Sequence, residues 1–243
     1  MALERSSRVA ALAAAVAGAG AALALTAVVC AHFAVVAPFT GFRAFLLGNL
    51  LALIGLILGA FGLRATRGGV RGRDRAWFAV GVGALALGLM LAGALPGRGA
   101  PRINDFTTNP ADPPTFEYAT RDPATRGRDY SYPAGFAEQQ RAAYPDLAPI
   151  ALALPPDRAF AAALQAVEKL GLTVTLSDQA RGVIEARATS RLFRFVDDVA
   201  IRIRPKDGGS VVDIRSKSRV GKGDLGANAD RIRAIAAELA AAS

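Results

Sequence analysis

Side chains that carry chemistry are scarce in this chain. Its one cysteine, Cys30, and its one histidine, His32, both lie near the N-terminus. Everything beyond them therefore lacks the parts for a serine or cysteine triad or a histidine-ligated metal centre. A lone cysteine also excludes an intrachain disulfide, even in an oxidising compartment. An acylated lipoprotein cysteine follows a small residue, whereas Val29 precedes Cys30, so Cys30 reads as an apolar span residue. No glycine-rich nucleotide loop joins a strand to a helix. No catalytic residue, metal site or cofactor is expected.

Charge is the second thing missing, and its absence is local. Residues 9–42, 44–63 and 76–97 contain no Asp, Glu, Lys or Arg. A helix needs about 20 apolar residues to cross roughly 30 Å of hydrocarbon, so each stretch predicts a membrane span, and the first is too long for a cleaved signal peptide. Between the second and third lie Arg64, Arg67, Arg71, Arg73 and Arg75, while Arg5 and Arg8 precede the first. Short cationic loops stay in the cytoplasm. The expected location is a bacterial inner membrane, with the N-terminus and arginine loop cytoplasmic and residues 96–243 periplasmic.

That topology also accounts for most of the basic balance. Of the formal +9, +6 belongs to residues 1–95 and +3 to the rest, so nucleic acid is not an expected partner. Within the second span, Gly55 and Gly59 form a G-x-x-x-G pattern that suits either a contact between copies or packing among the spans of one chain. Asn49 reads as a polar residue near a span's end.

Residues 96–156 hold eleven of the thirteen prolines and all four tyrosines, Tyr118, Tyr130, Tyr132 and Tyr144, together with Phe106, Phe116 and Phe136. Such aromatic content predicts an extended strap laid on a domain, with a short helix near 134–143; a disordered linker is the competing reading. From 157 the pattern becomes regular. Asp157 is placed to cap a helix whose apolar positions run to Leu170 and stop at Gly171. Strands are expected at 172–176, 183–189, 199–204 and 211–217, and a last helix follows Asp224. The fold class is thus a three-span membrane α-helical region (1–95), a strap (96–156) and an α+β domain (157–243). That domain is a two-layer, antiparallel four-stranded sheet with helices on one face.

Strand alternation then assigns side chains to the other face. Arg187, Arg202, Arg204, Arg215 and Lys217 project there, with Glu185 and Asp213 as the acids, and Arg219 follows closely. Two readings stay open: an ordinary solvated surface with cross-strand pairs, or a docking surface for an anionic lipid, cell-wall polymer or envelope protein. Asp197 and Asp198 suggest a metal or acid pair, yet the surrounding arginines make ion pairing the simpler account.

The segments RSKSRVGKGDLGANADRI (215–232), INDFTTNPADPPTF (103–116), YPDLAPI (144–150) and RFVDDVAIRIR (194–204) together resemble the bacterial family known as domain of unknown function 1499. The motif positions are Ser216, Ser218, Gly221, Asp224, Gly226 and Asn228. The resemblance implies an envelope-associated domain attached to membrane spans and carries over no catalytic residue. Gly221 permits positive φ, and Asp224 is set to cap the last helix or to occupy an anion site at its N-terminus. The expected role is binding or scaffolding in the envelope, with the bilayer as a partner. A lipid or small-molecule module, needing an apolar cleft between helices and sheet, is the alternative, and a carboxylate-based hydrolase comes third.

Overall fold

The computed structural model describes residues 6–95 and 97–242. They divide into two compact units, one made of residues 6–95 with Arg191–Arg194, the other of Gly97–Ser190 and 195–242.

The first unit is built from α1 (Arg8–His32), α2 (Pro38–Ala65) and α3 (Arg73–Ala94). Ser7 caps α1 by accepting the Ala10 amide, and Pro38 opens α2 where its missing N–H costs nothing. All three are long and apolar enough to cross a membrane. Leu47, Leu50, Ile57, Leu85 and Leu89 stand exposed around them, a surface suited to hydrocarbon rather than water. Inside, small residues set the spacing. A Cβ on Gly55 would lie 2.8 Å from the backbone of Ala17 in α1, and one on Gly59 would lie 2.9 Å from the Ala76 carbonyl in α3. The G-x-x-x-G glycines thus pack the helices of one chain. The Ser7 amide donates to the Arg71 carbonyl at 3.0 Å, which sets the chain before α1 and the arginine loop at one end of the bundle. Asn49 is not near a helix end, because α2 begins at Pro38; it is buried and donates back to the Phe45 carbonyl at 2.8 Å.

The second unit holds β1 (Asp105–Thr107), α4 (Tyr118–Arg121), α5 (Phe136–Ala143), β2 (Ile150–Leu152), α6 (Pro156–Lys169), β3 (Thr173–Asp178), β4 (Val183–Thr189), β5 (Val196–Lys206), β6 (Gly209–Ser218) and α7 (Ala227–Ala241). Among the described residues its antiparallel sheet has six strands rather than the expected four, in the order β1-β6-β5-β4-β3 with β2 also on β6. The four long strands occupy the expected regions. Asp207 and Gly208, both at positive φ, make the tight β5–β6 turn that matches strand twist. The two extra strands come from the strap. β1 covers Arg215–Lys217 and β2 covers Ser210–Val212, so the outer edge of β6 is paired instead of open to another chain. Beyond β1, Gln140 imitates a further strand: its amide donates to the Thr107 carbonyl at 2.7 Å and accepts the Thr107 N–H at 2.9 Å.

Helices α6 and α7 cover one face, over Ile184, Val199, Ile201, Ile203, Val212 and Ile214. The strap covers the other, so the unit has three layers where two were expected. Phe116 is buried beneath it, edge-on to Tyr130, whereas Phe106 of β1 turns to the helix side, joins the core there and meets Tyr144 edge-on. Asp157 does not cap α6. The helix starts one residue earlier at Pro156, which places Asp157 in the first turn.

Candidate functional site

The strap-covered face of the sheet carries most of the charged residues singled out by the sequence; it is closed around Arg215, Lys217 and Arg219, while Arg204 at its margin keeps 44% of its side chain exposed. Arg215 and Asp105 lie side by side with almost no solvent access, and the guanidinium forks onto the carboxylate at 2.9 and 2.7 Å. Its remaining donors reach the carbonyls of Pro114 and Tyr130, and its plane lies 4.9 Å from the Phe116 ring centroid. Lys217 shares Asp105 at 2.9 Å. Asp213 accepts from Arg202 at 2.8 Å and Arg204 at 2.6 Å, and Asp112 meets Arg202 at 2.9 Å. Arg187 binds Asp122 beneath the Tyr118 ring. Glu185, which alternation placed here as a counter-charge, instead accepts the backbone N–H groups of Glu117, Tyr118 and Ala119.

The expectation of an open basic face is thereby corrected. The strap brings Asp105, Asp112 and Asp122 against the cations, and Asp198 faces the same way. Buried charge is tolerated only with partners, so an arginine-rich sheet face and an acid-bearing strap need each other. Asp122 stays ionised: the Ala124 amide, then Arg187 and Arg219, hold its carboxyl below the ordinary value. Burial pushes the neighbouring Tyr132 hydroxyl up to about 12.

Asp197 and Asp198 cannot act as a pair, because consecutive strand residues point to opposite faces. Asp198 takes Arg219 at 2.7 Å and the Tyr130 hydroxyl at 2.6 Å on the strap side, whereas Asp197 takes Arg231 at 2.8 Å on the helix side. Beside Arg231 lies a small buried network. Asn228 accepts from Ser216 at 2.6 Å and donates to Ser218 at 2.8 Å, tying the end of β6 to the first turn of α7. Asp224 reaches into that turn from before it and accepts the amides of Gly226 at 3.0 Å and Asn228 at 2.7 Å. Gly226 itself holds a left-handed φ of 90° beneath the Tyr144 hydroxyl, and Gly221, at φ 93°, offers its carbonyl to the Asn104 side chain at 2.6 Å.

Asp224 has a measurable signature. Burial raises its carboxyl above the ordinary value, against the two amides that lower it. A folded value above the unfolded one means the folded state binds the proton more tightly, so ionisation subtracts stability as pH rises through that window. Asp224→Asn keeps one oxygen for the Asn228 amide and removes the buried charge. Its stability relative to the parent should improve progressively from about pH 4 upward. Melting temperatures whose difference stays constant with pH would show that this charge is not penalised.

Where the strap network meets solvent, a cleft of about 320 Å³ opens, lined by Asn104, Gly127–Tyr130 and Lys217–Arg219. Arg128 donates to the Arg219 carbonyl and has no carboxylate partner among the described residues. Asp129 turns its oxygens to the Ser131 amide and hydroxyl, at 2.8 Å each. Asp105 serves two cations at once, so the cleft keeps a positive excess. Asp105, Asp122, Arg128 and Arg231 were not singled out from sequence. For Asp105 the signal was present in its place within INDFTTNPADPPTF.

These features define a class: an α+β domain whose helix-free face is covered by a charged strap, carried on a chain with three apolar helices. The chain belongs to the family described as Protein of unknown function (DUF1499), whose model matches residues 105–239. No curated protein matches it.

Proposed function

We propose that this chain is a bacterial inner-membrane protein that presents its α+β domain to the periplasm for binding or scaffolding in the envelope. Its ligand is an anionic envelope component, engaged at the cleft of Arg128, Lys217 and Arg219. The observation that carries the reading is Arg128, which has no carboxylate partner among the described residues and stands at a cleft whose other cations, Lys217 and Arg219, already share Asp105 and Asp198. The membrane location is supported by the three apolar helices and by the concentration of arginine in their second connection. The centre of the helix–sheet interface is filled by Ile184, Ile201, Ile214, Ile232 and Ile235; the cleft of about 370 Å³ at its edge, between α7 and β4, carries Asp230 and Arg231 beside Leu170 and Leu172 and is mixed in character.

A reporter active only outside the cytoplasm should work when fused after Ser243 and stay silent when inserted at Gly69. The opposite pattern would overturn the location. In the full chain, Arg128→Glu should weaken binding to isolated cell-wall fragments at least tenfold and leave the melt unchanged, because an exposed substitution moves stability by no more than about 0.5 kcal/mol. Unchanged binding would remove the cleft from the proposal.

A further inference from the structure

Two loops of the second unit, 97–104 and 219–225, run beside each other. The Ser218 amide donates to the Asn104 carbonyl at 2.8 Å, and the Asn104 side chain donates to the Gly221 carbonyl at 2.6 Å. A Cβ on Gly223 would stand 3.4 Å from the Arg102 Cα, and one on Gly97 would overlap Leu225 at 2.5 Å. Leu225 is therefore seated against the residue where the chain enters this unit. Gly97 lies three residues past Ala94, the end of α3, and three residues span at most about 10 Å. However the unit is oriented, Leu225 stays close to the end of that helix.

Leu225 is unusual in two ways. It is 59% exposed, and its φ of 56° puts a branched side chain in the left-handed region, a conformation that persists only where the surroundings impose it. Around it Arg98, Arg102 and Lys222 are exposed, and none is joined to a carboxylate among the described residues. An apolar side chain ringed by free cations matches one environment, the interface of an anionic bilayer, where hydrocarbon takes the leucine and headgroups take the charges. We propose that Leu225, Arg98, Arg102 and Lys222 form a membrane-docking tip that rests on anionic phospholipid of the leaflet at which α3 ends. The proposal rests on the reading that α3 spans the bilayer. It adds a second contact that holds the domain against that surface.

The test uses the full chain with Cys30→Ser and Leu225→Cys, labelled with an environment-sensitive fluorophore. The protein is reconstituted into phosphatidylcholine vesicles with or without phosphatidylglycerol. A blue shift is expected only with phosphatidylglycerol, reversed by added salt through screening. It should be lost in the triple variant Arg98→Gln, Arg102→Gln, Lys222→Gln, whose melt should coincide with the parent's. A label solvated on both kinds of vesicle overturns the docking tip. An equal shift on both overturns the recognition of anionic lipid. A second label at Leu85→Cys, in the middle of α3, separates the two levels of the argument. If that label too is solvated, the spanning reading fails and the tip falls with it, whereas a buried Leu85 label beside a solvated Leu225 label disposes of the tip alone.

Discussion

Arg215→Met should destabilise the α+β unit by about 3–5 kcal/mol, enough to unfold a marginally stable domain. The reason is Asp105. It is fully buried against Arg215, and once the guanidinium is gone its carboxylate keeps only Lys217 at 2.9 Å. The double variant Asp105→Leu, Arg215→Met removes both charges and should recover most of the loss, since apolar pairs of similar volume replace buried ion pairs without net cost. Urea denaturation of the four proteins of this cycle measures the coupling directly. If the single and double variants were equally unstable, the arginine would be stabilising through its contacts with Phe116, Pro114 and Tyr130 rather than through the ion pair. If Arg215→Met behaved as the parent does, the strap would not be packed on this face at all.

Gly55→Leu is expected to have the other large effect, this time on the helical unit. A side chain there meets the Cβ, Cα and amide nitrogen of Ala17 at 2.6–2.8 Å, and backbone cannot rotate away as a side-chain tip can. Overpacking a closely filled core costs about 1–3 kcal/mol where neighbours yield, and here α1 must move as a whole. The variant should lose the compact bundle, seen as faster proteolysis between α1 and α2 in detergent. Gly88→Leu serves as the control, because a Cβ there meets nothing within 4 Å. Equal proteolysis of the two variants would mean that α1 and α2 are not in contact.

Local pattern was informative wherever short-range physics decides structure. Val183–Thr189 could be read to the residue from its alternation and the preceding Arg181-Gly182 turn, and the three apolar helices from missing charge. Asp224 was legible as a helix-entry acid because capping is a contact between near neighbours, although the helix begins at Ala227, two residues later than a cap at Asp224 sets it. By contrast, β1 and β2 are three residues each. Asp105-Phe106-Thr107 has no alternation long enough to recognise, and becomes a strand because β6 offers it an edge. Asp197 and Asp198 show the same divide: their chemistry invited a pair, and the pleat of β5 sent them to opposite layers.

The sequence alone determined the three apolar helices, the order of the long strands, the family, and the fact that one sheet face is arginine-rich. The tertiary structure decided what that face is for. Alternation says which side a residue points to, but whether that side meets water depends on a segment about a hundred residues away. Only when Asp105, Asp112 and Asp122 fold back over β4, β5 and β6 do Arg187, Arg202 and Arg215 change from an open basic surface into an ion-pair layer, fully buried at Arg215 and partly covered at Arg187 and Arg202. Ion pairing between distant residues leaves no periodicity in either segment. The charges that remain free, Arg128 at the cleft and Arg98, Arg102 and Lys222 around Leu225, are distinguished by the absence of a folded partner, and that too is a property of the fold.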